Sequence, residues 1–301
     1  MKKTILITGA SGFVGTYLTR ILLEQGHDVI GLGTSAAHPT LSGRDGLTWI
    51  SADTSRPGDW QANIREADTI INLAGRSIFR PWTKAYKQEI YDSRVLTTRH
   101  LVSAMGDAWE GHLLSTSAVG FYGDRGDTQV SETDPCGSDF LATVCRDWEE
   151  AANRAGEKGA AVSVMRFGVV LGDGGALAVM GTAYKAFVGG PLGSGRQWFP
   201  WIHIHDLAQA ALFLMDGRQE GHFNFTGPEP LRQKFFSKAM GRALGRPSFM
   251  PAPAFVVRTV MGELGASLLQ SQKALPEGLQ AAGFDFTYPD AGAALDQIYK
   301  K

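Results

Sequence analysis

Short apolar runs alternate with helical spacings along the first half of the chain. Residues 4–7 (Thr-Ile-Leu-Ile) form a continuous run, as in a strand buried on both faces. Val14, Tyr17, Leu18, Ile21 and Leu22 then recur at helical spacing, and Gly26 suits the helix C-terminus. Residues 28–32 predict a second strand, 34–47 a polar loop, 48–51 a third strand and 69–73 a fourth. A long helix is expected over 84–105, a fifth strand over 113–115, a helix over 139–155 and a sixth strand over 162–166. This β-α alternation predicts an α/β fold: a Rossmann-type, doubly wound parallel sheet with right-handed crossovers. Ligands of such sheets bind beyond the carboxyl ends of the strands. The polar, glycine-bearing turns fall there, at 8–15, 33–35, 53–54, 74–76 and 115–123.

The pattern changes after residue 170. Glycine, proline and aromatics cluster over 172–201, helical spacing returns over 206–215, and the rest is helix-rich with a proline break at 247–253. The expected organisation is a nucleotide-binding domain over 1–170, joined by 202–222, with a smaller C-terminal substrate lobe from 171–201 and 223–301.

Composition narrows the partners. Twenty-nine lysines and arginines against 30 aspartates and glutamates give a net charge of −1 over 301 residues. That balance provides no basic field for nucleic acid or an anionic membrane, and no run reaches the ~20 apolar residues of a bilayer span. Cys136 and Cys145 fit neither a CxxC pair nor a zinc knuckle. The apolar stretch after Lys2-Lys3 is cut by Thr8, Gly9, Ser11 and Gly12, so no secretory leader is expected and the protein is read as cytoplasmic. The expected partner is a small molecule, with phosphate- or nucleotide-bearing compounds among the candidates. A homodimer is compatible with the sequence.

The strongest chemical signal is Thr8-Gly9-Ala10-Ser11-Gly12-Phe13-Val14-Gly15, between a strand and a helix. Gly9 permits the tight turn, Gly12 lets the backbone approach a diphosphate, and Gly15 lets the helix pack on the strand. Free N–H groups and partial positive charge at the helix start favour the anion. At the end of strand two, where NAD sites usually carry an acid, stand Gly33, Thr34 and Ser35. A 2′-phosphate would not be repelled there, and Ser35 could donate to it, so NADP (NADPH) is favoured over NAD.

Thr8–Gly15 and Asn72-Leu73-Ala74-Gly75 resemble the extended short-chain dehydrogenase/reductases. Further blocks resemble the YfcH-type epimerase-family proteins, related to nucleotide-sugar epimerases. These are Trp82-Thr83 with Lys87 and Asp92-Ser93-Arg94; residues 117–123 (SAVGFYG); 166–172 (RFGVVLG); 190–197 (GPLGSGRQ); 201–206 (WIHIHD); and the tail motifs at 274–279 and 282–286. The resemblance implies Ser11, Phe13 and Val14 in the cofactor turn, Asp53 at the adenine amine, and Leu73, Ala74 and Gly75 bordering the ribose and diphosphate. It also implies Ser115 and Ser117 after strand five near the nicotinamide, and Arg166 among the cofactor-binding residues.

The chain departs from that family at its acid–base helix. Short-chain dehydrogenases use Tyr-x-x-x-Lys, the lysine lowering the tyrosine pKa from about 10 so that it can shuttle a proton. Residues 140–149 (FLATVCRDWE) hold neither tyrosine nor lysine, and the partner serine's place falls on Ala118, beside Ser117. Ser117 and Tyr122 are the substitute catalytic candidates. Lys87 and Arg94, seven apart on one helix face, and Arg196 in its glycine-rich loop are candidate substrate contacts. His203 and His205 mimic a metal-ligating H-x-H on a strand, but no metal is expected and Asp206 is read as a helix cap. Two function classes follow: an NADP-dependent oxidoreductase or epimerase-like protein working by hydride transfer, or a non-catalytic NADP-binding redox sensor.

Overall fold

The computed structural model describes residues 2–106 and 109–300. Seven parallel strands form the main sheet: β1 (Thr4–Thr8), β2 (Asp28–Gly33), β3 (Leu47–Ser51), β4 (Thr69–Asn72), β5 (His112–Ala118), β6 (Ala161–Phe167) and β7 (Gly221–Phe225). Their order is β7-β6-β5-β4-β1-β2-β3. The order reverses between β1 and β4, the topological switch point at which such sheets bind ligands.

Both faces are covered, as a parallel sheet requires. On one face, α1 (Phe13–Glu24) buries Leu18 and Leu22, and α5 (Ile204–Gly217) buries Leu207, Ala211 and Leu214. On the other lie α2 (Lys84–Ala104) and α3 (Phe140–Asn153), with Leu101, Val102 and Ala152 in the core. A third core belongs to the smaller lobe, where α4 (Gly175–Lys185), α6 (Gln233–Leu244) and α9 (Ala291–Tyr299) gather Leu177, Tyr184, Phe236, Met240 and Leu295. Two further helices, α7 (Ala254–Leu268) and α8 (Glu277–Ala281), complete the C-terminal part.

Two expected boundaries move. β7 pairs with β6 from Gly221↔Ser163 to Phe225↔Phe167, so the break at 222 falls inside a sheet strand. Leu279 of α8 and Phe284 join the main-domain core, so the tail returns to the sheet instead of staying in the lobe. Helix α4 is hidden in the sequence by its own start: Gly172, Gly174 and Gly175 read as loop glycines, yet each makes room for Phe13. A Cβ on them would lie 2.7, 2.6 and 3.1 Å from the Phe13 ring. The aromatic ring of the glycine turn thereby locks that turn against the entry to α4. No helix among the described residues is long and apolar enough to cross a membrane.

Candidate functional site

The glycine turn joins β1 to α1 at the switch point. Gly9 has φ +65°, and a Cβ there would stand 2.9 Å from the Leu73 carbonyl oxygen. A Cβ on Gly15 would lie 2.2 Å from the Gly9 carbonyl oxygen, so α1 can sit this close to the turn only with glycine at 15. Gly12 is exposed and is the N-cap of α1, with no side-chain cap and no acid in the first turn. A Cβ on Gly12 would meet only Gly9's carbonyl oxygen, at 3.1 Å. The first-turn N–H groups of α1 are therefore open above a backbone surface that a side chain would otherwise cover. That arrangement suits an oxygen-rich anion. Ser11 and Val14 flank the opening and are half-buried. Phe13 contributes its backbone at the helix start, while its half-buried ring packs on 172–175.

The carboxyl ends of the central strands are tied by a row of polar side chains in register. Thr8 pairs with Asn72 and Asn72 with Ser115 along the sheet. Thr8 Oγ1 donates to Asn72 Oδ1 (2.7 Å) and accepts from the amides of Leu73 (3.1 Å) and Ala74 (3.2 Å). Asn72 Nδ2 donates to Thr98 Oγ1 (2.8 Å) and Ser115 Oγ (3.2 Å). The row fixes the turn Leu73-Ala74-Gly75 beside the glycine turn. Ala74 is buried, and Gly75 is exposed.

At the end of β2, Gly33 leaves room for two neighbours: a Cβ would lie 2.7 Å from the Trp49 ring and 2.8 Å from Ser11 Oγ. Trp49 Nε1 donates to the Ser35 carbonyl (3.0 Å), Ser35 Oγ donates to Ala37 O (2.8 Å), and Thr34 is exposed. His38, which the sequence does not single out, is buried and links this loop to the glycine turn. Its Nδ1 accepts from the Leu41 amide (3.1 Å), leaving Nε2 to donate to Ala10 O (3.2 Å). Asp53, exposed after β3, accepts from the Ser55 hydroxyl (2.6 Å) and amide (3.1 Å). The hydroxyl hydrogen bond holds the Asp53 carboxyl below its ordinary pKa.

The catalytic candidates do not reach this opening. β5 runs through Ala118, so Ser115 and Ser117 lie within the strand, each 1% exposed. A second polar row follows the register Ser117↔Arg166↔Asn224 across β5, β6 and β7. Glu149 of α3 covers it. Arg166 Nε and Nη2 donate to the two Glu149 oxygens at 2.9 and 2.8 Å, and Ser117 Oγ donates to Oε1 at 2.6 Å. Arg166 Nη1 donates to the Tyr122 hydroxyl (2.9 Å), which donates to Asn224 Oδ1 (2.7 Å). Burial pushes the Tyr122 pKa up to about 12. Against expectation, Ser115, Ser117, Tyr122 and Arg166 present no surface at this opening: each is at most 3% exposed, Ser117, Tyr122 and Arg166 are bonded within the Glu149–Asn224 row, and Ser115 Oγ accepts from Asn72. The signal for this lies in the sequence: an arginine inside an apolar strand demands a buried acid, and Glu149 stands on the inward stripe of α3 with Cys145 and Ala152. The Cys145 thiol is likewise buried, its pKa raised to about 12.

Arg94 and Lys87 behave differently. Lys87 forms an ion pair with Glu263 of α7 (2.6 Å) and sits 4.4 Å above the Phe140 ring. Trp82, Lys87, Tyr91, Phe140 and Glu263 line a cavity of about 350 Å³. Arg94 lies under the β4 turn, where a Cβ on Gly75 would be 3.0 Å from its Cζ. Arg196 is exposed at the rim of the lobe, and its carbonyl accepts from Arg232, which pairs with Asp127 (2.8 Å). His203 ends a short strand (Trp201–His203) and is itself the cap of α5, its Nδ1 accepting from the His205 amide (3.2 Å). Asp206 is therefore not the cap, and His205 is already helical. The Asp206 carboxylate accepts from the amides of Thr287 (3.0 Å) and Tyr288 (2.9 Å), tying down the tail. Among the described residues no group of three or more His, Cys, Asp or Glu is placed to hold a metal.

Residues 5–225 match the NAD dependent epimerase/dehydratase family, and residues 252–298 match a domain of unknown function, DUF1731. The chain is 37% identical over 305 residues to the chloroplastic epimerase family protein SDR39U1 homolog of Arabidopsis thaliana, covering 99% of this chain and 87% of that one. It is 35% identical to epimerase family protein YfhF of Bacillus subtilis, covering 98% and 97%. Among solved structures it is similar to human epimerase family protein SDR39U1 (isoform 2) crystallised with NADPH. That match has a TM-score of 0.86 and 31% identity, over 99% of each chain.

Proposed function

The chain belongs to the NAD dependent epimerase/dehydratase family, and from that premise we propose that it binds NADP(H) on the glycine turn and transfers hydride to or from a small substrate. The carrying observation is the open, uncapped start of α1 over Gly12, locked by Gly9 and Gly15 beside the β4 turn. First-turn amides of α1 would hold the diphosphate. The exposed Thr34 and the lack of an acid at 33–35 suit a 2′-phosphate, Ser35 being engaged instead through its hydroxyl with Ala37 O, and the NADPH held by the human relative supports that preference. Asp53 keeps its carboxylate ionised for the adenine edge. When bound, the nicotinamide supplies or accepts the hydride. No proton is routed through Ser117 or Tyr122. Oxidoreductase and isomerase chemistry both fit this reading. So does a cytoplasmic location, supported by two cysteines that are both free.

A second reading is favoured by one observation. α3 carries no tyrosine or lysine, and its inward acid is committed to Arg166. The protein would then hold NADP as a redox sensor without turnover. Following NADPH absorbance across a panel of carbonyl compounds and nucleotide sugars separates the two. The first reading predicts steady, substrate-dependent oxidation that survives Ser117→Ala. Tight binding with no oxidation across the panel would establish the second.

A further inference from the structure

Three polar side chains share one face of α2 at positions 87, 91 and 94, spaced by four and three residues. Two of them are satisfied within the protein. Lys87 pairs with Glu263, and the Tyr91 hydroxyl donates to Asp147 (3.0 Å). Arg94 is not matched by an acid. Its Nη1 donates to Ile90 O (3.0 Å) and its Nη2 to Arg76 O (3.0 Å), and the guanidinium stands 5.5 Å from the Trp148 ring centre. Among the described residues no carboxylate lies in salt-bridge reach of it. Nearby acids are engaged elsewhere: Asp92 accepts from Gln88, Glu89 faces Arg76, Asp147 pairs with Arg146, and Glu149 with Arg166. Arg94 is half-buried, and burial draws its pKa below the usual arginine value, although a guanidinium stays charged. A partly buried cation without a counter-charge is costly unless something anionic arrives. Two features locate the arrival. Gly75, exposed at the carboxyl end of β4, puts no side chain of its own over the guanidinium, whose Cζ a Cβ there would approach to 3.0 Å. The Thr8–Asn72 bonds hold that turn still, next to the glycine turn.

We propose that Arg94 is the built-in counter-cation for an anionic group, phosphate or carboxylate, that a ligand brings to the β4 turn. Its planar fork suits either group. The inference rests on the dinucleotide reading above, and two sources share the chemistry: the dinucleotide's diphosphate, or an anionic substrate seated beside it. Arg94→Gln and Arg94→Lys are compared with wild type in two measurements. The first is the NADPH dissociation constant by fluorescence titration. The second is the shift in melting temperature caused by inorganic phosphate or malonate on NADPH-saturated protein.

If the diphosphate is the source, Arg94→Gln weakens NADPH by about tenfold or more, about 1.4 kcal/mol, and Arg94→Lys recovers part of it. If a substrate anion is the source, NADPH affinity holds while the phosphate or malonate shift disappears in Arg94→Gln. Wild-type NADPH affinity and both anion shifts persisting in a folded Arg94→Gln protein would overturn the proposal. Should Arg94→Gln fail to fold, the same readings on Arg94→Lys decide, because it keeps charge and loses the fork. Failure of the underlying reading shows differently: wild type itself binds no NADPH, and the anion shift is then read on the ligand-free protein.

Discussion

Gly15→Ala is expected to weaken NADPH binding by about 100-fold or more, about 2.8 kcal/mol, and to lower stability by about 1–3 kcal/mol. The reason is geometric. The new Cβ would lie 2.2 Å from the Gly9 carbonyl oxygen and 2.8 Å from the Ala10 Cα. Both are backbone atoms, so no rotamer change relieves the contact. Gly9 cannot retreat either, because its own position is bounded by the Leu73 carbonyl. α1 must tip away from β1, and its first-turn N–H groups lose their common aim. Gly156→Ala, where a Cβ meets nothing within 4 Å, is the matched control and should change neither quantity. Titration of both variants, with melting curves, reads the result. Unaltered NADPH affinity in Gly15→Ala would separate the cofactor from this turn.

Arg166→Leu is expected to destabilise the fold by about 3–5 kcal/mol, the usual result of leaving a buried partner charge behind. Glu149 is 4% exposed and would keep only the Ser117 hydroxyl and His222, whose Nε2 is 3.5 Å away. Burial lowers the His222 pKa, so it is a poor replacement cation. Removing both charges in Arg166→Leu/Glu149→Leu should restore much of the loss, since a buried pair and an apolar pair of similar volume are often close in stability. Urea unfolding of the single and double variants measures this. NADPH affinity of the folded fraction should stay within about threefold of wild type. An Arg166→Leu protein of normal stability but without NADPH affinity would return Arg166 to the cofactor site.

These two residues also mark what a sequence can and cannot show. The role of Gly15 is legible because a β-turn-α unit fixes its neighbours locally: strand, glycine spacing and helix start lie within a dozen positions. The parallel sheet and its two covered faces follow from the same alternation. Arg166 is harder to place because its partners come from far away in sequence. Glu149 is on a helix, Ser117 and Asn224 are on adjacent strands, and only the register Ser117↔Arg166↔Asn224 brings them together. Tyr122 misleads for the same reason: a loop tyrosine beyond a strand looks accessible until its hydroxyl is found between Arg166 and Asn224. His38 gives no signal at all, since a histidine in a polar loop reveals neither its burial nor its bond to Ala10. Asp206 sits in the first turn of α5, where an acid reads as a cap. Its carboxylate instead serves the tail at 287–288, and His203 caps the helix. The boundary at 222 is invisible because β7 is short and follows a helix, and strand membership depends on pairing with β6.

On the function proposed above, the open start of α1 holds a nicotinamide dinucleotide phosphate. Calorimetric titration of the purified protein with NADPH and with NADH tests it most directly. The predicted result is one saturable site per chain with NADPH bound about tenfold or more tighter than NADH, and a gain of about 2.7 kcal/mol in stability at 100 times the dissociation constant. No heat and no melting shift with either dinucleotide at about 1 mM, a level that marks affinities weaker than about 4 kcal/mol, would contradict it.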